Sequence, residues 1–148
     1  MVRFSNTLTI ASDAKEIFQY LANIENYTVW NYAVKEISKV DFKEGKVGSK
    51  YQLLRNMGLQ SFEEIEIIEC LPNENLTFEA SGNIFSYTMM YELEQQSQGT
   101  LLINKVEMKS SAKNRIMIKM MQNNIKKSVN KNLHVLKNIL EKRGVVLV

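Results

Sequence analysis

Few residues in this chain have both the type and the spacing that chemistry needs. Arg55 alternates with Leu53 and Met57 in a strand-like run, so an inward-facing strand would aim its guanidinium at the interior. There it would fix a carboxylate or a phenolate through a bidentate hydrogen bond. On a bulged strand it would face solvent instead. Glu64 and Glu66 stand two apart on one strand face, a spacing that suits paired carboxylates in acid–base work. Their neighbours Ile65 and Ile67 favour a plainer reading, the wet face of a half-buried strand. The single cysteine, Cys70, excludes a disulfide framework and a multi-cysteine zinc site. The single histidine, His134, excludes a His-rich metal constellation. His134 lies about 150° from the apolar stripe of its helix, at 3.6 residues per turn, and should be exposed. One His and one Cys so placed do not assemble a nucleophile, base and orienter. No phosphate-cradling glycine loop and no dinucleotide fingerprint occurs. The residues imply no metal and no cofactor, and leave open whether any reaction is catalysed.

The elements that must position these residues can be read from pattern. The chain has 148 residues, 45% hydrophobic and 24% charged, with one proline and six glycines. That is the size of one ordinary domain and the balance of a folded chain rather than a disordered one. Val2 to Ile10 reads as a strand. Asp13 followed by Glu16 is a box-like helix start, with Ile17, Phe18 and Leu21 at helical spacing behind it. Asn23–Asn31 suggests a second short helix. Six strand-length runs separated by turn residues follow: Val34–Asp41, Lys50–Met57 ending at Gly58, Gln60–Leu71, Leu76–Ser81, Phe85–Glu94 and Thr100–Lys109. Their spacing predicts an antiparallel meander, seven strands with the first. In Phe85–Glu94 the residues Phe85, Tyr87, Met89, Tyr91 and Leu93 share one face. In Thr100–Lys109 the continuous Leu101-Leu102-Ile103 leaves the orientation ambiguous.

The last segment is the most regular. Ile118, Met121, Ile125, Val129, Leu133, Leu136 and Leu140 recur at about 3.7 residues, which predicts a helix over Lys113–Glu141 with Gly144 as its stop. Such a helix is on the order of 40 Å long and needs a wide apolar partner, which only the sheet supplies. From Lys113 to Arg143 there are nine basic residues and one acid, although the whole chain is only +3. Lys113, Lys127, Lys131 and Lys142 fall opposite the apolar stripe. A solvated basic face explains this, and so does a docking face for nucleic acid or an anionic membrane. Ile116 and Met120 project away from the stripe, which an irregular first turn, a covering loop or a second subunit would explain. Met1–Asn6 shows no leader-like apolar core, and no apolar run approaches the roughly 20 residues that span a bilayer. The expectation is a soluble cytoplasmic protein without integral membrane association.

Four pieces of sequence carry a family likeness. They are Ile10–Phe18, Tyr27-Thr28-Val29-Trp30-Asn31, the glycine hairpin Gly45–Tyr51, and Glu69-Cys70-Leu71-Pro72 running through Leu76 and Phe78 to Tyr91-Glu92-Leu93 and Gly99-Thr100. Together with the element order they resemble the SRPBCC or START-like superfamily of polyketide cyclases, plant pathogenesis-related allergens and lipid-transfer domains. The chain departs from that pattern at Tyr32, where a proline often follows the tryptophan segment, and at Asn73, where a second proline is frequent. The resemblance implies an α+β helix-grip fold. Its parts are a seven-stranded curved antiparallel sheet, two short helices after the first strand, and a long C-terminal helix across the concave face. It implies one ligand-binding domain over residues 1–148.

In this resemblance a cavity lies between sheet and helix. Its inward candidates are Tyr51, Leu53, Arg55, Phe78, Tyr87, Met89 and Tyr91 from the strands. Met117, Met121 and Ile125 join them from the helix, and Trp30 would stand at the mouth. A dry void of roughly 300 Å³ would cost on the order of 7 kcal/mol, as much as a typical domain's whole stability. Such a space must be hydrated, collapsed or occupied. Three functions follow. The first is binding of a small hydrophobic or aromatic molecule, for transport or sequestration. The second is a polyketide cyclase- or dehydrase-like enzyme using the same cavity. The third is an interaction module using the basic helix face. The expected partner is a small hydrophobic ligand rather than nucleic acid, and a homodimer is compatible with the Ile116 and Met120 pair.

Overall fold

Residues 1–56 and 60–145 are described by the structure, a computed structural model. Strand β1 (Val2–Ile10) buries Val2, Phe4, Asn6 and Ile10 and exposes Arg3, Ser5, Thr7 and Thr9, the two-residue period of a sheet with one wet face. Asp13 caps α1 (Ala14–Ala22), its Oδ1 accepting the Glu16 N–H at 2.8 Å. That satisfies one donor which the first helical turn leaves free. Ile17, Phe18 and Leu21 form the buried side of α1. A 3₁₀ turn at Ile24–Asn26 runs into α2 (Tyr27–Trp30), which carries Tyr27 and Trp30 inward.

The meander follows as β2 (Val34–Asp41), β3 (Lys50–Asn56), β4 (Gln60–Leu71), β5 (Asn75–Gly82), β6 (Ser86–Gln96) and β7 (Gly99–Met108). Met57 and Gly58, the expected end of the third strand, lie outside the described residues. All pairings are antiparallel, and the spatial order is β1-β7-β6-β5-β4-β3-β2. β1 therefore returns beside the last strand, and β2 is the other edge. Register shifts between Val34 and Glu36, Lys39 and Asp41, and Ile67 and Glu69 bend the strands that carry them. In β7 the orientation resolves: Thr100, Leu102, Asn104, Val106 and Met108 face the core. Gly99 opens that strand at φ +138°, and a Cβ there would lie 2.5 Å from the Ile10 carbonyl oxygen. Only glycine allows β7 to meet the end of β1 so closely.

α3 (Arg115–Val145) lies against the core face of this sheet. It begins two residues later than its expected Lys113 start and continues through Gly144, which is not its stop. A lone glycine weakens a helix by about 1 kcal/mol and need not end it. Among the described residues no helix is long and apolar enough to cross a membrane. The layered α+β arrangement is the helix-grip architecture that the element order implies.

Candidate functional site

Along its apolar stripe α3 meets the sheet unevenly. Ile118, Leu133, Leu136 and Leu140 are buried, whereas Met121, Ile125 and Val129 between them are only half-buried. The helix is tied along β1 instead. Gln122 Nε2 donates to the Arg3 carbonyl (3.0 Å), Asn130 Nδ2 to Asn6 Oδ1 (3.3 Å) and Lys137 Nζ to the Thr9 carbonyl (2.6 Å). The Ala11 N–H donates to Glu141 Oε2 (2.8 Å). These polar ties hold one flank of the helix at the sheet edge. Beneath its middle remains a cavity of about 300 Å³.

The cavity floor is apolar: Phe4 from β1, Met89 from β6, and Val106 and Met108 from β7. Met121, Ile125 and Val129 form its roof. Exposed Asn124 and Ser128 of α3, with half-buried Asn31, Asn132 and Phe85, border it and connect it to solvent. Asn124, Ser128 and Asn132 recur every four residues beside the apolar stripe. That polar row is a rim legible in the sequence once a cavity is suspected.

One end of the cavity is polar. Arg55 donates from Nε to Glu63 Oε2 (2.8 Å) and from Nη2 to Glu63 Oε1 (3.4 Å) and to the Tyr87 hydroxyl (3.1 Å). Tyr87 in turn donates to Glu63 Oε1 at 2.6 Å. The β3–β4 register makes this possible. Arg55 opposes Ser61 and Leu53 opposes Glu63, so the guanidinium and carboxylate are diagonal neighbours on one face. β5 lies between Glu63 and Tyr87, and it presents only Ala80 and Gly82 there. A Cβ on Gly82 would come within 3.0 Å of Glu63 Cγ. Small residues let the tyrosine hydroxyl reach over the intervening strand.

The Glu63 side chain is fully buried and that of Arg55 is 14% exposed. Burial works against the guanidinium charge, but Tyr87 and Glu63 outweigh it, and Arg55 is held protonated more firmly than in water. Burial, reinforced by Glu63 against the opposing pull of Arg55, pushes the Tyr87 phenol well above its ordinary range, so it remains a donor. The polar end is thus an internally neutral cluster. Among the described residues, no acceptor meets Arg55 Nη1.

Arg55 does face inward, and the carboxylate it fixes is the chain's own Glu63. Sequence reasoning passed over Glu63, although Ser61, Glu63, Ile65 and Ile67 alternate onto the same buried face. Glu64 and Glu66 lie on the opposite face, Glu64 exposed and Glu66 paired with Lys50 at 3.8 Å. His134 is exposed, its Nδ1 2.9 Å from the Asn130 carbonyl oxygen. The Cys70 thiol is half-buried and raised by that burial, which lowers its thiolate character.

Of the other expected site residues, the structure brings Tyr87, Met89, Met121 and Ile125 to the cavity with Arg55. Tyr51, Leu53, Phe78 and Tyr91 do not line it; each is buried in the core. Trp30 does not stand at the mouth. It is 2% exposed and packs edge-on to Tyr27 at 4.8 Å and Tyr91 at 6.3 Å. Tyr27 also meets Phe78 at 5.8 Å, and the Tyr27 and Tyr91 hydroxyls are 2.7 Å apart. α2 has driven two large rings into the space between sheet and helices, and so converts that part of the interior into packed core. Burial raises both phenols, and they are neutral. Met117 is 44% exposed, because it sits in the first turn of α3 about 100° round from buried Ile118.

No protein-family model and no curated protein matches the sequence. Solved structures do match. The di-domain aromatase/cyclase StfQ of the steffimycin biosynthetic pathway aligns with 98% of this chain at a TM-score of 0.83 and 13% identity. The chain spans about half of that protein, 52% of its length. A START superfamily protein from Mycobacterium smegmatis aligns over 95% of this chain and 97% of its own, with a TM-score of 0.78 and 16% identity. The ZhuI aromatase/cyclase from Streptomyces sp. R1128 aligns over 96% and 94%, with a TM-score of 0.76 and 11% identity. At such identities the likeness defines the fold. This chain has the START-like helix-grip fold, as its element order and sequence words imply.

Proposed function

We propose that the chain is a START-like ligand-binding domain that takes up one small, uncharged hydrophobic or aromatic molecule in the cavity under α3. The observation that carries this reading is a cavity of about 300 Å³ with apolar walls, a solvent connection and a polar end whose charges cancel internally. Concave, mostly apolar sites with a few fixed polar groups are the form small-molecule sites take. Emptied of water, that volume would cost on the order of 7 kcal/mol, and an apolar occupant removes this cost. Buried Glu63 repels a ligand carboxylate, while Arg55 Nη1 offers a donor to a carbonyl or hydroxyl oxygen. Neutral ketones, amides and alcohols are therefore favoured over fatty or aromatic acids.

Thermal denaturation with matched neutral and acidic ligand pairs tests the reading. A neutral ligand at a hundred times its Kd stabilises by about 2.7 kcal/mol. For a chain of this length that is an increase in Tm of about 5–10 °C. The matching carboxylic acid should shift Tm far less. No shift from any neutral hydrophobic ligand, or a larger shift from the acids, contradicts it.

The Arg55–Glu63–Tyr87 cluster also favours a second reading, a cyclase- or dehydrase-like enzyme. An enzyme in this cavity needs polar groups that converge inside it, and this cluster supplies them. Arg55 would polarise a ligand carbonyl, with Tyr87 and Glu63 positioned to share a proton. Turnover of a bound polyketone that Tyr87→Phe abolishes without loss of binding would establish it.

A further inference from the structure

The first turns of α3 leave three large apolar side chains in water: Ile116 is 75% exposed, Met120 76% and Met117 44%. Ile116, Met120, Lys127 and Lys131 are separated by four, seven and four residues, so they share the face turned away from buried Ile118. Exposed Lys113, Arg115 and Lys119 flank the apolar residues. From Met108 to Leu140 the sequence holds eight basic residues and no acidic one.

We propose that the amino-terminal half of α3 is a docking surface for an anionic phospholipid bilayer. A bilayer interface takes both features at once. Apolar side chains enter the headgroup–acyl boundary, while lysines and arginines meet the lipid phosphates. Three apolar side chains alone bind a membrane marginally, and the charge supplies the second signal. A second copy of this chain fits the surface poorly. Symmetric pairing through Ile116 and Met120 would bring Lys113, Arg115 and Lys119 of both copies together, and like charges oppose that contact. A nucleic acid would use the lysines but gain nothing from Ile116 and Met120. Met121 and Asn124, one turn further along α3, border the cavity, so a docked helix would hold the cavity beside the bilayer. The proposal stands on the exposed patch and its charge, whether or not the cavity binds a ligand.

Sedimentation of the full chain with phosphatidylcholine vesicles, and with mixed phosphatidylcholine–phosphatidylglycerol vesicles, tests it. The expected result is binding to the mixed vesicles alone, weakening as salt rises. Lys113→Gln and Lys119→Gln should each lower the partition coefficient roughly fivefold. Ile116→Asn combined with Met120→Asn should lower it at least tenfold with Tm unchanged, because both side chains are already in water in the free protein. Three outcomes overturn the proposal. They are no binding to anionic vesicles at low salt, binding that the Ile116→Asn/Met120→Asn variant retains, and a solution dimer that the same variant dissolves. Tight duplex DNA binding by the parent chain, accompanying the first of these outcomes, would assign the basic face to nucleic acid.

Discussion

At the scale of single residues, Glu63 has a place in the site that its neighbours in sequence do not. It is a buried carboxylate whose two oxygens are taken by Arg55 and Tyr87. Removing one partner of such a pair leaves a buried charge uncompensated, at a cost of about 3–5 kcal/mol. Glu63→Gln keeps the shape but removes the charge and exchanges one of the two accepting oxygens for an N–H donor. It should lower stability toward that range in urea unfolding and, through the freed guanidinium, admit carboxylate ligands that the proposed site excludes in the parent protein. Equal refusal of acids by Glu63→Gln would show that something other than Glu63 neutralises the site. The role of Arg55 was half legible, because alternation with Leu53 placed it on the inward face. What could not be read was its partner, which comes from the β3–β4 register, and the tyrosine reach over Ala80 and Gly82. Both depend on cross-strand geometry that no local pattern encodes. Trp30 was misplaced for a similar reason: an aromatic residue at the end of a four-residue helix shows no periodicity from which burial can be read.

The elements were more legible than the site, since each is set by local rules. The seven strands and the Asp13 cap follow from alternation, turn residues and capping chemistry. For α3 the apolar period gives the face but not its distance from the sheet. Its stripe reads as uniform, yet Leu136 is packed and Ile125 borders a void. Leu136→Ala should therefore cost about 2–5 kcal/mol, and Ile125→Ala clearly less, because it enlarges a space already open to water. Comparison of the two variants by urea unfolding checks how unevenly the helix is seated. The far end of α3 is fastened by Glu141, whose carboxyl is drawn below its ordinary range by the Ala11 N–H and by Lys137. A lowered carboxyl contributes stability above its unfolded value of about 4.3 and loses it as pH falls through the folded one. Exposed to solvent screening, the contribution is a fraction of a kcal/mol. Glu141→Gln should be slightly less stable than the parent at pH 7, and the difference should vanish in acid once the carboxyl is protonated in both the folded and unfolded chain. A difference that persists in acid would locate its effect in packing rather than charge.

For the whole molecule, one arrangement explains the uneven burial of α3, the polar rim and the neutral cluster: a sheet and a long helix that close at two ends and separate in the middle. The packed ends supply stability, and the gap is where the proposed ligand would sit. Such a division predicts that filling the gap should leave the fold intact and abolish uptake. Calorimetric titration of the tightest neutral ligand into the parent protein and into Ile125→Trp tests this most directly. One ligand per chain with a negative heat-capacity change is predicted for the parent. For the variant the prediction is lost binding with Tm kept or raised. Undiminished affinity in a folded Ile125→Trp would place the ligand elsewhere on the molecule and contradict the account.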